Sequence, residues 1–399
     1  MTISDQEIIS RFPVGFYQLH PNVSLNFQMN RFYGWVGEAQ MLDELRAAGP
    51  RIASYADWTR EMLELSDKAL ADGRRLPAAY YSRAGQFFLT PDDPRYQPAL
   101  QRFLDIVLAD NAVAPDDHHM VPYQQGHLSA YRFTPAQPRG TVVVFGGYDS
   151  YIAEWLPAAY AFRDAGLDTV IFDGPGQGTA LDAGTPMTPD WHLPVAAILD
   201  YFGLAGITLM GFSLGGCLVI RAAAHEPRVA RAIAFDILTD FFEVTLRSAG
   251  AFGAIAAHLG QIPAPLVNAV VAAAAKKDLL AAWGLAQGER VTGAATPAGL
   301  FQAYRQYRTD DVSPLVTQDV LLMAGTKDHY VPFPMLGQQL LTLTAAHSVT
   351  ARAFTEAEHA QSHCQTGNTG LAIKVILDWL DATGGRTAEP SASSKSRQG

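Results

Sequence analysis

With 399 residues, 48% of them hydrophobic and 17% charged, the chain has an ordinary folded composition and room for one large domain with additions, or two. A formal net charge of -10 argues against nucleic acid or an anionic membrane as a partner. Two cysteines, Cys217 and Cys364, suggest neither a disulfide-built scaffold nor a metal-ligand spacing, so no metal and no cofactor is expected.

The chain's beginning, Met1 to Ile8, lacks a basic region followed by an apolar core, and a cytoplasmic protein is expected. Up to about residue 115 the pattern is helical. Trp58, Met62, Leu65 and Ala69 recur at helical spacing, as do Tyr80, Ala84, Phe87 and Phe88. Thr90-Pro91-Asp92-Asp93-Pro94 breaks this block before a further helix through Phe103, Ile106 and Val107. The aromatic content reads as helix packing, and the block (1–115) could supply a homodimer surface. Asp117-His118-His119 reads as a solvated turn.

Tyr123 to Phe133 alternates like an antiparallel strand. Short apolar runs follow at Thr141–Phe145, Thr169–Phe172, Ile207–Met210, Ala232–Phe235 and Val320–Met323, with helical segments between them. That rhythm predicts a mostly parallel sheet with helices on both faces, carried by residues 116–240 and 310–383. Between them, residues 241–309 are Ala-rich and strand-poor, which predicts a helical lid insertion. The stretch 252–275 is the most membrane-like, but its apolar run falls far short of the roughly 20 residues a span needs, so no membrane partner is expected. The tail 384–399, rich in Ser, Lys and Arg, is expected to be disordered.

The chemistry concentrates at Gly211-Phe212-Ser213-Leu214-Gly215-Gly216, directly after the run Ile207 to Met210. A strand ending in G-x-S-x-G and passing straight into a helix forces its serine into a sharp, exposed turn. The helix from Leu214 points its positive end at Ser213. A serine hydroxyl needs a base, and the base an orienting carboxylate, in the chain order Ser, acid, His. Asp328, just past the strand Val320 to Ala324, is the expected acid, with Asp236 the runner-up. Of the histidines after the strand Val349 to Phe354, His363 directly precedes the last helix (Thr369 to Leu380) and is the expected base. His359 is the competitor. His329 is a third candidate that fits a pocket wall better. For the oxyanion formed on attack, the amide of Leu214 is one expected donor and that of Tyr148, in Gly146-Gly147-Tyr148-Asp149-Ser150, the other, with Gly147 the alternative. Asp173-Gly174-Pro175-Gly176-Gln177-Gly178 lacks the G-x-G-x-x-G spacing of a nucleotide loop and reads as a structural loop at the sheet's C-terminal edge.

Together the elbow, Ile220-Arg221-Ala222-Ala223-Ala224, Glu226-Pro227-Arg228-Val229, the Gly146 and Gly174 loops and His363-Cys364-Gln365 resemble the α/β-hydrolases with an N-terminal helical domain. That group includes fermentation-respiration-switch-like esterases, fungal polyketide-shortening hydrolyases and 2,6-dihydroxypseudooxynicotine hydrolase. The resemblance covers about 75 to 381. It implies an α/β-hydrolase fold, Ser213 as nucleophile, Asp328 as acid and His363 as base, acting on an ester or an activated C–C bond of a small-molecule substrate. The same three residues would serve an acyltransferase with an alcohol or amine acceptor. A non-catalytic binding protein on this fold is a third reading.

Overall fold

The computed structural model describes residues 4–248, 262–276 and 279–384. The apolar runs form one sheet: β1 (His118–Tyr123), β2 (Gly126–Phe133), β3 (Thr141–Phe145), β4 (Asp168–Phe172), β5 (Ile207–Phe212), β6 (Val229–Phe235), β7 (Asp319–Gly325) and β8 (Ser348–Phe354). These eight strands lie in the order β1-β2-β4-β3-β5-β6-β7-β8. β2 is antiparallel to both of its neighbours, and every pairing from β4 to β8 is parallel. Parallel strands send all their C-terminal ends to one edge, where the loops after β3, β5, β6, β7 and β8 meet.

The two-residue period of the strands divides the core in two. Val142, Val144, Met210, Phe212, Leu321 and Met323 face one side. Val143, Phe145, Leu209, Val320 and Leu322 face the other. The first side is covered by α7 (Leu156–Asp164), by the last helix, and by the N-terminal helices α1 (Asp5–Ile9), α2 (Val23–Tyr33), α3 (Ala39–Ala48), α4 (Tyr55–Ala71), α5 (Arg75–Gln86) and α6 (Tyr96–Asp110). The second is covered mainly by α8 (Gly178–Asp182), α9 (His192–Phe202) and α10 (Leu214–Ala223).

Apolar residues recur on one face of α3, α4 and α6, whereas α2 and α5 are buried nearly all round. In α4 the row Trp58, Met62 and Ala69 is fully buried. Each large side chain so buried contributes about 2 kcal/mol of transfer free energy. α4 and α5 are pinned by hydrogen bonds as well: Trp58 Nε1 donates to Ala84 O at 2.7 Å, and Thr59 Oγ1 to Gly85 O at 3.1 Å.

Between β6 and β7 stand α11 (Phe241–Ser248), α12 (Ala264–Ala275), α13 (Leu279–Thr292) and α14 (Pro297–Tyr304). Thr296 caps α14 by accepting from Gly299 N, with Pro297 at the first helical position. α15 (Pro334–Thr342) separates β7 from β8, and α16 (Thr369–Gly384) closes the chain as described. The tail expected to be disordered lies, apart from Gly384, outside the described residues. No helix among the described residues is long and apolar enough to cross a membrane.

Two local expectations are corrected. The segment Tyr123 to Phe133 is not one strand but the turn and second arm of a hairpin, bent at Gln124, whose φ is +50°. Apolar alternation continues across the turn, and Gln124-Gln125 carries no glycine, proline or asparagine to announce it. His118 and His119, expected in a solvated turn, begin the edge strand β1 instead. His118 stacks on Tyr131 at 4.6 Å, and its Nε2 lies 2.8 Å from Ser129 Oγ.

Candidate active site

Ser213 stands between β5 and α10 with φ +59° and ψ -120°, a backbone region that costs a non-glycine residue about 1–3 kcal/mol. The elbow holds because its neighbours are locked. Ser213 N donates to Phe235 O at 2.7 Å, and Gly216 N to Ser213 O at 2.7 Å. A Cβ on Gly211 would lie 2.1 Å from Gly215 O, and one on Gly216 would lie 1.8 Å from Asp236 O. Only glycine permits either approach, and both obstacles are backbone that side-chain rotation cannot relieve. Gly211→Ala should therefore destabilise the fold by about 3 kcal/mol, the upper end of overpacking costs, read as a lowered midpoint in urea unfolding. An unchanged midpoint would show that the elbow can relax.

Three sequence-distant side chains meet at this turn. His363 Nε2 lies 2.7 Å from Ser213 Oγ, and His363 Nδ1 lies 2.6 Å from Asp328 Oδ2. Asp328 is fixed from behind, its Oδ1 accepting from Tyr330 N at 2.7 Å and Val331 N at 2.9 Å. The runner-up acid is also there: Asp236 Oδ2 stands 3.3 Å from the same Nδ1. Asp236 Oδ2 accepts from Cys364 N at 2.6 Å and its Oδ1 from Gln365 Nε2 at 2.8 Å, which secures the loop that carries His363. His359 is exposed, beyond β8, and is not part of the cluster.

Burial alone would push the His363 imidazole down. The charges of Asp328 and Cys364, and the hydrogen bonds the ring donates to Asp236 and Asp328, outweigh it and hold His363 well above the ordinary histidine value. Burial lifts Asp328 to about 6 against the pull of His363, and the nearby Asp236 charge adds to that rise. In Asp236 the burial penalty is overcome by the bonds from His363 and Cys364 N, which keep it below the usual carboxylate range. Among the described residues, Asp236, His363 and Cys364 bring possible metal-ligand atoms within 4.8 Å of one another. The histidine Nδ1 and the carboxylate oxygens of that set already have hydrogen-bond partners.

Leu214 is the first residue of α10, so its amide has no acceptor within the helix. The loop after β3 crosses the nucleophile. A Cβ built on Gly147 would be 2.8 Å from Ser213 Cβ and 3.2 Å from Ser213 Oγ. The Tyr148 hydroxyl points to the insertion between β6 and β7 and lies 2.5 Å from the Tyr304 hydroxyl, while its ring packs on Phe241 at 5.2 Å.

Residues 140–338 match the family model described as alpha/beta hydrolase fold. The 20-hydroxy-prefusarin hydrolase FUS2 of Gibberella moniliformis is 30% identical over 286 residues, covering 63% of this chain and 67% of that protein. The chain belongs to the α/β-hydrolase family. A similar protein along almost the whole length is the hydrolase LUC6 of a Fusarium species, 26% identical over 418 residues, covering 92% of this chain and 98% of that one. Among solved structures, the 2,6-dihydroxy-pseudo-oxynicotine hydrolase shares the fold with a TM-score of 0.60 at 19% identity, over 88% of this chain and 94% of that one.

The N-terminal helices of this α/β-hydrolase reach the site directly, at residues that carry no sequence motif. Phe27 of α2 packs on His363 at 5.8 Å and on His329 at 4.9 Å. His329, the third histidine candidate, packs against Tyr330 with ring centres 3.8 Å apart and planes tilted by 40°, and Ser213 Oγ is met by His363 instead. Its Nε2 is buried without a hydrogen-bond partner. Burial, aided by the charge of His363, lowers it to about 3, so it stays neutral and walls the site. Arg31 of α2 donates to Asp149 Oδ1 at 3.0 Å and to Glu154 Oε2 at 2.7 Å. Arg83 of α5 donates to Glu154 Oε1 at 2.8 Å and to the carbonyl of Asp149 at 2.7 Å. Glu154 is fully buried, so these two arginines satisfy a charge that would otherwise be costly and in doing so tether the loop after β3. Nothing local in the sequence marks either arginine or its partners.

Proposed function

We propose that the protein is a serine hydrolase that attacks a carbonyl and passes through an acyl-serine, on an ester or an activated C–C substrate of the β-diketone type. The observation that carries this reading is the hydrogen-bonded line Ser213 Oγ, His363 Nε2, His363 Nδ1, Asp328 Oδ2 at a strained strand-to-helix elbow. In the first step Ser213 Oγ bonds to the substrate carbonyl carbon and its proton passes to His363 Nε2. The carbonyl electron pair moves onto oxygen, where the amides of Leu214 and Tyr148 donate. When the tetrahedral adduct collapses, the bond to the leaving group breaks and His363 returns the proton to it. The leaving atom is an alkoxide oxygen for an ester and a carbonyl-stabilised carbanion for a diketone. Water then repeats the sequence on the acyl-serine, yielding the acid and free Ser213.

Ester and C–C cleavage share every step except protonation of the leaving atom, so the substrate class follows from products. A panel of an aryl ester, a phenyl β-diketone and an acyl-thioester, analysed by mass spectrometry, should give a carboxylic acid from at least one of them. A fluorophosphonate probe should add its phosphonyl group to the peptide containing Ser213. Labelling elsewhere, or none with a folded enzyme, overturns the serine reading.

A further inference from the structure

The loop Asp173 to Gly178, read from sequence as structural, touches the site through one buried amide. Gln177 is 1% exposed. Its Nε2 donates to Gly146 O at 2.6 Å and to Gly147 O at 3.0 Å, and its Oε1 accepts from Gly174 N at 3.1 Å. The loop itself is braced by Asp173, whose buried carboxylate accepts from Ile152 N at 2.8 Å, Thr179 N at 3.0 Å and Thr179 Oγ1 at 3.1 Å. Every polar atom of the Gln177 side chain is thus committed to backbone, two of the three contacts being carbonyls of the segment that crosses Ser213.

A trans peptide is planar, with its carbonyl and its N–H pointing in opposite directions. The carbonyl of Gly146 shares a plane with the N–H of Gly147, and that of Gly147 with the N–H of Tyr148. One side-chain amide holding both carbonyls therefore turns both N–H groups the other way. Ser213 lies against this segment, as the 2.8 Å from a Gly147 Cβ to Ser213 Cβ records.

We propose that Gln177 is a positioning residue for the oxyanion hole, orienting the loop's N–H groups so that the Tyr148 amide, with Gly147 the alternative, joins that of Leu214 at the oxygen formed on attack by Ser213. This rests on the serine-hydrolase reading above. An apolar residue at 177 would leave two buried carbonyls unpaired and free to rotate, and the cost would fall on the transition state, where the oxyanion exists, and not on substrate binding.

The test uses full-length Gln177→Met and Gln177→Glu with 4-nitrophenyl butyrate as substrate and a phenyl trifluoromethyl ketone, which forms an oxyanion adduct on serine. The Glu variant keeps the volume and the acceptor for Gly174 N but sets a carboxylate against two carbonyls. Fluorophosphonate labelling carried to completion counts the active molecules in each preparation. Per active molecule, kcat should fall about 10–100-fold, somewhat less than outright loss of an oxyanion donor, with KM within a factor of about three. Affinity for the trifluoromethyl ketone should fall by the same factor as kcat/KM. A folded variant with wild-type kcat and ketone affinity overturns the proposal, as does a loss fully explained by the labelled fraction. If the Met variant does not fold, the Glu variant decides. Failure of the underlying reading looks different: the Ser213→Ala variant with Gln177 intact would keep its activity.

Discussion

Ser213→Ala should leave a folded protein whose kcat on its best ester or diketone is lower by about 10⁴–10⁶-fold, with KM little changed. The methyl side chain keeps the elbow's backbone and removes only the oxygen 2.7 Å from His363 Nε2. What survives is the part of catalysis that needs no nucleophile on the enzyme: oxyanion donors and a positioned base. Those hold a residual rate of about 10³–10⁴ over water in related triads, which sets a floor that a sensitive assay can see. The measurement is stopped-flow or end-point turnover on enzyme purified free of wild type, with circular dichroism to check folding. Retention of activity within tenfold would mean that water, activated by His363, attacks directly and that no acyl-serine forms. The same variant should show no phosphonyl adduct at residue 213.

The fold class was legible because its signals are local. Val-Val-Val-Phe between turn residues, repeated with helical spacers, reads as buried strands of a layered, mostly parallel sheet, whereas the strand order and the edge strand β1 carried no such signal. The elbow was legible for the same reason, since strand, serine and helix are consecutive. Bringing His363 to Ser213 across 150 positions, and to Asp328 across 35, depended on the chain order that this architecture imposes on strand ends. Phe27, Arg31, Arg83 and Gln177 had no such guide. Each acts by converging on the site from an element whose own pattern says only that it is buried. Phe27 lies on the side of its helix that carries Ser24, Asn30 and Arg31, away from the core row Leu25, Met29 and Phe32, and Gln177 sits in a loop whose glycines and proline speak of turns. The Tyr123 to Phe133 segment failed differently: a hairpin that alternates through its turn has the same period as a straight strand.

The arrangement also explains why an N-terminal helical block accompanies the catalytic sheet. Its arginines tether the loop after β3 through Asp149 and Glu154, and its Phe27 covers the outer edge of His363. The insertion after β6 touches the same loop from the other side through Tyr304 and Tyr148. The loop expected to bind the oxyanion is thereby contacted from both the N-terminal helices and the insertion.

Asp328→Asn should lower kcat by about 10⁴-fold, and Asp236→Asn by only about tenfold, although both carboxylates face the same imidazole nitrogen. The asymmetry comes from what each oxygen already does. Asp328 Oδ1 accepts two backbone N–H groups, from Tyr330 and Val331, so an asparagine there must put its carbonyl at that end. Its NH₂ then faces His363 Nδ1, which can only accept. The ring proton is forced onto Nε2, and the nitrogen that should take the serine proton becomes a donor to it. Asp236 stands farther away, at 3.3 Å against 2.6 Å, and its substitution leaves the Asp328 contact intact. Its effect should appear in the pH profile. His363 is raised by negative charge around it, so activity falls away as pH drops through that raised value, because the base must be neutral to act. Removing the Asp236 charge takes away part of that support, so the acid limb of kcat/KM in Asp236→Asn should move to lower pH. Steady-state profiles of the two variants and wild type measure both effects. A larger kcat loss in Asp236→Asn than in Asp328→Asn would exchange the two roles, making Asp236 the residue that orients the base.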